Sequence, residues 1–512
     1  MTNNTVNKVP AIQLKNIKKR FGSITANDGI DLTLYDGEIL ALLGENGSGK
    51  TTLMNMLSGI YRPDDGNIFI HGNECHISSP EDSKRLGIGM IHQHFKLVEV
   101  MTAADNILLG DNNASFFLTK KRFEKTEEIS KKYGLNVDMT KRVCDMSVGE
   151  KQTLEILKVL NYGAQIIILD EPTAVLTPQE TAKLFDILRS MKENGCAVII
   201  ITHKLNEVLE ISDRVTVLRR GKSIDTVETS KATAQSLTEL MVGRPVSLEI
   251  ERSEAKGEEN LLSVHHLSIK NDEGLLALDD ISFDLYEGEI LGVAGIAGSG
   301  QKELCEAIAG LQKIYRGAIL YKKENIEGKT PREIIKLGIS MSFIPEDRLG
   351  MGLAASLDIT DNMMLKNYRK PSGTPFVDRK SASAKAKKIV EEMQIATPSI
   401  STPVRRLSGG NVQKVLLGRE IDADPKVLIT AYAVRGLDIN SSYTIYDLLN
   451  RQKKKGSGVL YIGEDLDVML GLCDRIMVLC HGKLSGIVDA KTATKSQIGL
   501  MMTGSTDEGG KS

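Results

Sequence analysis

The sequence predicts an α/β fold of the P-loop type, built twice in tandem, and three observations carry that prediction. Short apolar stretches, QIIILD (165–170) and AVIIITH (197–203), alternate with helical segments, as in parallel sheets covered on both faces. In ALLGENGSGKTTL (41–53) a strand runs through glycines into a helix start, and Gly44–Thr51 fits the pattern G-x-x-x-x-G-K-S/T. Finally, the second half of the chain repeats the first.

The repeat emerges when the sequence is slid along itself. NDGIDLTLYDGEILALLG (27–44) matches LDDISFDLYEGEILGVAG (278–295), and DMSVGEKQTLEILKVL (145–160) matches RLSGGNVQKVLLGREI (406–421). DRVTVLRRGK (213–222) matches DRIMVLCHGK (474–483), so Gly44 falls on Gly295, Ser147 on Ser408 and Gly221 on Gly482. A period of domain size argues against a solenoid. Between the copies, SLEIERSEAKGEEN (247–260) is acidic, polar and without hydrophobic periodicity, and reads as a linker. The expected division is a first domain at 1–245, a linker at 246–260 and a second domain at 261–512.

Length and composition agree. A chain of 512 residues exceeds one ordinary core and calls for two or more domains. With 65 basic and 67 acidic residues the net charge is −2, so no bulk attraction to nucleic acid or lipid is implied. The start, MTNNTVNKVP, lacks an apolar signal core, and runs such as CAVIII (196–201) fall far short of the roughly 20 residues of a membrane helix. The cysteines at 75, 144, 196, 305, 473 and 480 form no C-x-x-C pair, which fits reduced thiols better than disulfides or zinc. The expectation is a cytosolic chain, at most peripheral to a membrane.

In chain order, the strand GEILALLG leads to a glycine turn whose N–H groups can curl around phosphates, helped by the N-terminus of the helix starting near Lys50. Lys50 can reach the β- and γ-phosphates and the Thr51 hydroxyl can ligate Mg²⁺. The charge-rich TKKRFEKTEEISKK (119–132) reads as a solvated helix face. A helical segment covers 147–160, and the apolar strand after it ends at Asp170 and Glu171, where ligands gather at strand carboxyl ends. Asp170 suits a Mg²⁺ shell and Glu171 suits polarising an attacking water. His203 ends the next strand; taken alone, such a histidine is more often structural.

GENGSGKTT, HQHF, MSVGEKQ, LDEPTAVLTP and ITHKLNEV, in this order, resemble the ATP-binding subunits of ABC transporters, and the resemblance covers nearly the whole chain. It implies two tandem P-loop NTPase domains of the ABC type that use ATP and Mg²⁺. By it, Gly44, Glu45, Asn46, Gly47, Ser48, Gly49, Lys50, Thr51 and Thr52 hold ATP, and Phe21 stacks on adenine. Gln93 joins Thr51 and Asp170 at the metal, and His203 becomes a switch histidine at the γ-phosphate. Ser147, Val148 and Gly149 resemble the family signature, with Val148 in place of a glycine. The catalytic set implied is Lys50, Gln93, Glu171 and His203.

The second half keeps the glycine frame at Gly295 and Gly300 but not the chemistry. Gln301 stands for Lys50, Lys302 for Thr51, Ala431 for Asp170, Tyr432 for Glu171, Glu464 for His203, Asp272 for Phe21 and Glu346 for Gln93. Glu346 and Glu464 are expected to add negative charge there, partly offset by Lys302. The signature Ser408, Gly409, Gly410 and Asn411 is nevertheless nearer the family pattern than the first. In the head-to-tail pairing the resemblance implies, Ser408–Asn411 faces the intact loop and Ser147–Glu150 the eroded one, giving one working and one degenerate site.

Two fused ATP-binding halves resemble the ATPase subunits of bacterial simple-sugar and nucleoside importers. GIGMIHQHFKLV (87–98) is similar to the nucleoside branch, which is associated with a lipoprotein binding component; the sugar branch more often has a glutamate–leucine pair after the glutamine. His92 and His94 suggest no metal site. The resemblance implies two integral-membrane permease subunits, an extracytoplasmic substrate-binding lipoprotein and a place on the cytoplasmic face of the bacterial membrane, reached only through partners. The alternative within the class is a ribose- or galactose-type importer. A soluble twin ATPase acting on ribosomes would be expected to carry two intact loops and a long basic linker, and a DNA-repair ATPase zinc-type cysteine pairs.

Overall fold

Ile39–Leu43 and Ala197–Ile201 carry no polar side chain, and every residue of both is buried. Such strands must lie inside a sheet covered on both faces, where each buried Ile or Leu contributes roughly 1.5–3 kcal/mol. A computed structural model of the chain places them so. It describes residues 9–504 except 23, 94, 110–119, 246, 247, 249, 251, 255, 256, 258, 272, 344–347, 366–376, 436 and 438, and except the side chains of 120–125, 340–343, 348, 351 and 440. His94, Asp272 and Glu346 therefore lie outside the described residues. The chain divides into two units, Met1–Ser247 and Leu248–Ser512.

The strands of the first unit are β1 (Ile12–Phe21), β2 (Ile24–Leu34), β3 (Ile39–Leu43), β4 (Asp65–Ile70), β5 (Asn73–Cys75), β6 (Ile88–Ile91), β7 (Ile166–Asp170), β8 (Ala197–Ile201), β9 (Arg214–Arg219) and β10 (Lys222–Glu228). One sheet has the order β10-β9-β3-β8-β7-β6. From β9 to β6 it is parallel, with β10 an antiparallel edge. The carboxyl ends of β3, β7 and β8 therefore open on one rim. A second, antiparallel sheet of order β2-β1-β4-β5 went unforeseen in the sequence reading. Its inner residues Ile12, Leu14, Ile30 and Leu32 pack with Leu40, Leu42, Ile166, Ile168 and Ile199 of the parallel sheet. Between them lie Leu53, Met54 and Leu57 of the helix Lys50–Leu57. That helix is thus clamped between two sheets, which fixes the loop ahead of it.

The second unit repeats this layout with β11 (Asn260–Lys270), β12 (Leu276–Tyr286), β13 (Ile290–Gly295), β14 (Arg316–Tyr321), β15 (Glu324–Asn325), β16 (Ile339–Phe343), β17 (Val427–Ala431), β18 (Gly458–Ile462), β19 (Arg475–Cys480) and β20 (Lys483–Asp489). Its sheets run β12-β11-β14-β15 and β16-β17-β18-β13-β19-β20, the same two orders. Polar contacts repeat too. The Ile39 N–H donates to Asp213 at 2.9 Å as Ile290 does to Asp474, and Arg214–Glu38 at 3.0 Å is matched by Arg475–Glu289 at 2.6 Å.

The segment read as a linker is in part fastened to the second unit. Ile250 packs on that unit's helical-side core, and Arg252 donates to the carbonyls of Gly471, at 3.2 Å, and Leu470. The fully buried Lys453 binds the Ser253 carbonyl and Asp474. Its acidic composition concealed one apolar contact and these two cationic anchors. Among the described residues no helix is long and apolar enough to cross a membrane.

Candidate functional site

The helix Lys50–Leu57 begins at Gly49, whose φ of 99° is left-handed. A Cβ there would run into the Ala26 carbonyl, so only glycine lets the loop lie this close to β2. The buried Asn27 donates to the Gly49 carbonyl at 3.2 Å, and the Ser48 N–H to Glu45 at 3.0 Å. No side chain caps this helix and no acid lies in its first turn, which leaves its N–H groups to an anion. Lys50 is buried and donates to the carbonyls of Gly44 at 2.6 Å and Glu45 at 3.0 Å. Burial lowers its pKa, while Glu171 and Asp170 pull the other way.

Asp170 is the last residue of β7, and Glu171 follows with a left-handed φ of 48°, its N–H bonded to Ile201 at 2.8 Å. That backbone turn aims the Glu171 carboxylate at two side chains. His203 Nδ1 lies 3.1 Å from one oxygen, and Gln93 Nε2 donates to the other at 3.1 Å. The expected residues Lys50, Gln93, Asp170, Glu171 and His203 are thus gathered. His203, however, sits two residues beyond the end of β8, in a bend, and this frees its ring to face Glu171. Phe21 joins none of these bonds. It ends β1 as an exposed ring, edge-on to Tyr61 at 5.2 Å, with Lys19 Nζ 5.6 Å from its centroid.

The two adjacent carboxylates differ electrostatically. The hydrogen bond from His203 holds Glu171 below its ordinary range despite burial. Burial, then the neighbouring Glu171, pushes Asp170 up to about 6 against the pull of Lys50. The loop also carries an orphan, the buried Ser48 Oγ, which has no partner. An unbalanced carboxylate, uncapped N–H groups and the exposed Thr51 hydroxyl fit a divalent cation arriving with phosphates. Among the described residues no group of three or more His, Cys, Asp or Glu could hold a metal ion.

This imbalance predicts a stability effect. Because Asp170 titrates at about 6 in the fold against an ordinary value of 3.8, its ionisation opposes folding increasingly as pH rises between those values. Asp170→Asn should stabilise the ligand-free chain at pH 7.5 by roughly 1–3 kcal/mol, the attraction of Lys50 being already contained in the net shift. The gain should vanish near pH 4. Denaturant melts at the two pH values test this, and equal stabilities at pH 7.5 would contradict the strained carboxylate.

Sequence reading missed the supports of the site. Glu207 is buried, accepts from Thr173 at 2.6 Å and Thr202 at 3.3 Å, and pairs with Lys204 at 3.1 Å. It ties the turn after Glu171 to the turn carrying His203. Glu180 accepts from the Gly149 N–H at 3.2 Å, holding the first signature. The i+3 spacing of Thr177 and Glu180 was a legible capping box, but the reach to Gly149 was not.

The two signatures are also unlike in structure. Ser147 and Glu150 form a reciprocal capping box, so the first signature helix carries its own carboxylate at its N-terminus. Ser408 makes no side-chain cap, has no acid in the following turn, and instead accepts from Asn411 Nδ2 at 2.9 Å. Gly409 and Gly410 open that helix, whose N-terminus thus remains the better place for a phosphate.

The second unit preserves the loop's geometry with different side chains. Gly300 caps its helix with φ 98°, and the Ser299 N–H bonds Ile296 at 3.0 Å, as Ser48 bonds Glu45. Gln301 is buried and donates to the Ile296 carbonyl at 3.2 Å, taking over the bracing role of Lys50 without its charge. Gly295, ending β13, packs beside it. At the rim, Ala431 is buried and Tyr432 repeats the left-handed turn of Glu171 with φ 53°. Burial first, then Glu464, pushes the Tyr432 hydroxyl up to about 12, so it is no base. Glu464 adds less negative charge than expected because Arg435 pairs with it at 3.4 Å; Lys302 is instead 3.8 Å from Glu306.

Comparison with known proteins places the chain in this context. A family profile described as "ABC transporter" matches residues 27–174 and 278–430, more than half of the chain. The chain is 43% identical to the nucleoside import ATP-binding protein NupA of Lactococcus lactis subsp. cremoris, covering 98% of this chain and 99% of that protein. It is 42% identical to the guanosine import ATP-binding protein NupO of Bacillus subtilis, with 98% and 99% covered. Against the ribose import ATP-binding protein RbsA 1 of Rubrobacter xylanophilus the identity is 39%, with 97% and 99% covered. The repeated match, falling on both phosphate loops and extending over whole relatives, establishes that the chain belongs to the ABC transporter family.

Proposed function

We propose that this chain hydrolyses ATP at the site of its first unit to power a bacterial importer of nucleosides. The observation that carries the reading is Glu171 held at once by His203 and Gln93, beside the braced ammonium of Lys50. Lys50 and the loop N–H groups of Gly44–Thr52 bind and orient the phosphates, and Phe21 stacks on the base. Thr51, Asp170 and Gln93 would hold Mg²⁺, which neutralises phosphate charge when bound. Glu171, ionised and oriented by its two partners, aligns a water and accepts its proton. His203 keeps the carboxylate aimed while presenting its ring to the γ-phosphate. Ser408, Gly409, Gly410 and Asn411 serve the same nucleotide, and the second loop stays silent in hydrolysis.

The substrate is assigned to nucleosides because HQHF (92–95) resembles that branch and because two similar relatives are named for nucleoside and guanosine import. The partners are two membrane permeases and an extracytoplasmic substrate-binding lipoprotein, through which the chain reaches the cytoplasmic face of the membrane. No nucleic-acid partner is proposed. Deleting the chain and measuring uptake of labelled nucleosides and sugars tests the assignment. Nucleoside uptake is expected to fall to background; intact nucleoside uptake with lost ribose or galactose uptake would transfer the chain to sugar import.

A further inference from the structure

We propose that Glu155 and Lys158, on the signature helix Val148–Asn161, are positioning residues for hydrolysis: they grip the main chain at Lys96 and so hold the segment carrying Gln93. Glu155 accepts from the Lys96 N–H at 2.8 Å, and Lys158 Nζ donates to the Lys96 carbonyl at 3.0 Å. Spaced i and i+3, the two side chains share one face of the helix. One residue is thereby held by both its main-chain polar groups, which lie in two successive peptide units. Three residues earlier, Gln93 donates to Glu171.

The cost of this arrangement argues for a purpose. Glu155 is only 4% exposed, and a carboxylate so buried is unfavourable unless its bonds are needed. The second unit shows that the core does not require it. There the equivalent position is Leu416, 1% exposed, and the counterpart of Lys158 is Arg419, which turns to Glu420 at 2.8 and 3.0 Å. A neighbouring grip is common to both units. Asn106 binds the N–H and carbonyl of Val98 at 2.7 and 3.0 Å, as Asn362 binds those of Ala354 at 2.8 and 3.1 Å. The common grip belongs to the fold. The grip at Lys96 accompanies the unit whose Lys50, Asp170 and Glu171 are intact.

This inference rests on the ATPase reading above, and its test separates the two. In the full-length chain, Glu155→Leu, the residue natural at Leu416, should lower kcat about tenfold or more while KM for ATP stays within about twofold. Glu155→Gln keeps an acceptor for the Lys96 N–H and should restore kcat to within about twofold of the parent. Lys158→Met should fall between, and the Lys96 amide should exchange with deuterium faster in Glu155→Leu and not in Glu155→Gln. A folded Glu155→Leu with parental kcat, an unchanged Lys96 exchange rate, or a failure of Glu155→Gln to rescue would each overturn the proposal. Should Glu155→Leu not fold, parental kcat in Lys158→Met would overturn it and a partial loss would support it. Full turnover in Lys50→Ala would sink the ATPase reading instead.

Discussion

Glu171→Gln is expected to lower ATP turnover by roughly 10²–10⁴ while leaving ATP binding nearly intact. The amide retains an oxygen for the Gln93 donor but cannot take a proton, and it loses the charge that draws His203 to 3.1 Å. Tyr432 stands at the same turn of the second unit with its hydroxyl pushed up to about 12, and offers no base in place of Glu171. Nucleotide retention measured beside steady-state turnover separates the effects. Turnover within threefold of the parent would remove Glu171 as the base.

Lys50→Ala should be equally severe for a different reason. A unit charge 4 Å from phosphate is worth about 4 kcal/mol at an effective dielectric near 20, so both affinity and rate should fall by 10² or more, on the order expected for that loss. Gln301→Ala, at the matching place in the second unit, should leave most turnover, because Gln301 braces the Ile296 carbonyl without supplying charge. Ser408→Arg should nevertheless inactivate if, as proposed above, Ser408–Asn411 serve the nucleotide held by Lys50; the helix that Ser408 precedes is uncapped by any side chain. Gln301→Lys alone should create no second activity, with Ala431 and Tyr432 unchanged. The five variants can be compared in one ATPase series on the assembled transporter. Equal losses in Lys50→Ala and Gln301→Ala would refute the inequality of the two loops.

Much of this was legible in the linear sequence because it depends on local chemistry. Gly44–Thr51, Asp170 and Glu171 each declare themselves through a short pattern next to an apolar strand, and the self-match located the second copy with its substitutions. The parallel sheet followed from the five-residue apolar runs. The antiparallel sheet β2-β1-β4-β5 did not, since its strands are half-exposed and the β1–β4 pairing that joins its two hairpins spans tens of residues.

By itself, then, the sequence determined the P-loop fold and the duplication, and it named the candidate residues of the first site and their replacements in the second copy. Tertiary structure decided what those residues do to one another. The left-handed turn at Glu171 brings a carboxylate between Gln93 and His203, and the opposing effects on Asp170 and Glu171 follow from burial and partners that spacing does not encode. Arg435 on Glu464 and the grip of Glu155 on Lys96 likewise join groups far apart in the chain. The physical reason is common to all of them: hydrogen bonds and desolvation act over a few ångströms of space, and only folding sets which groups lie that close.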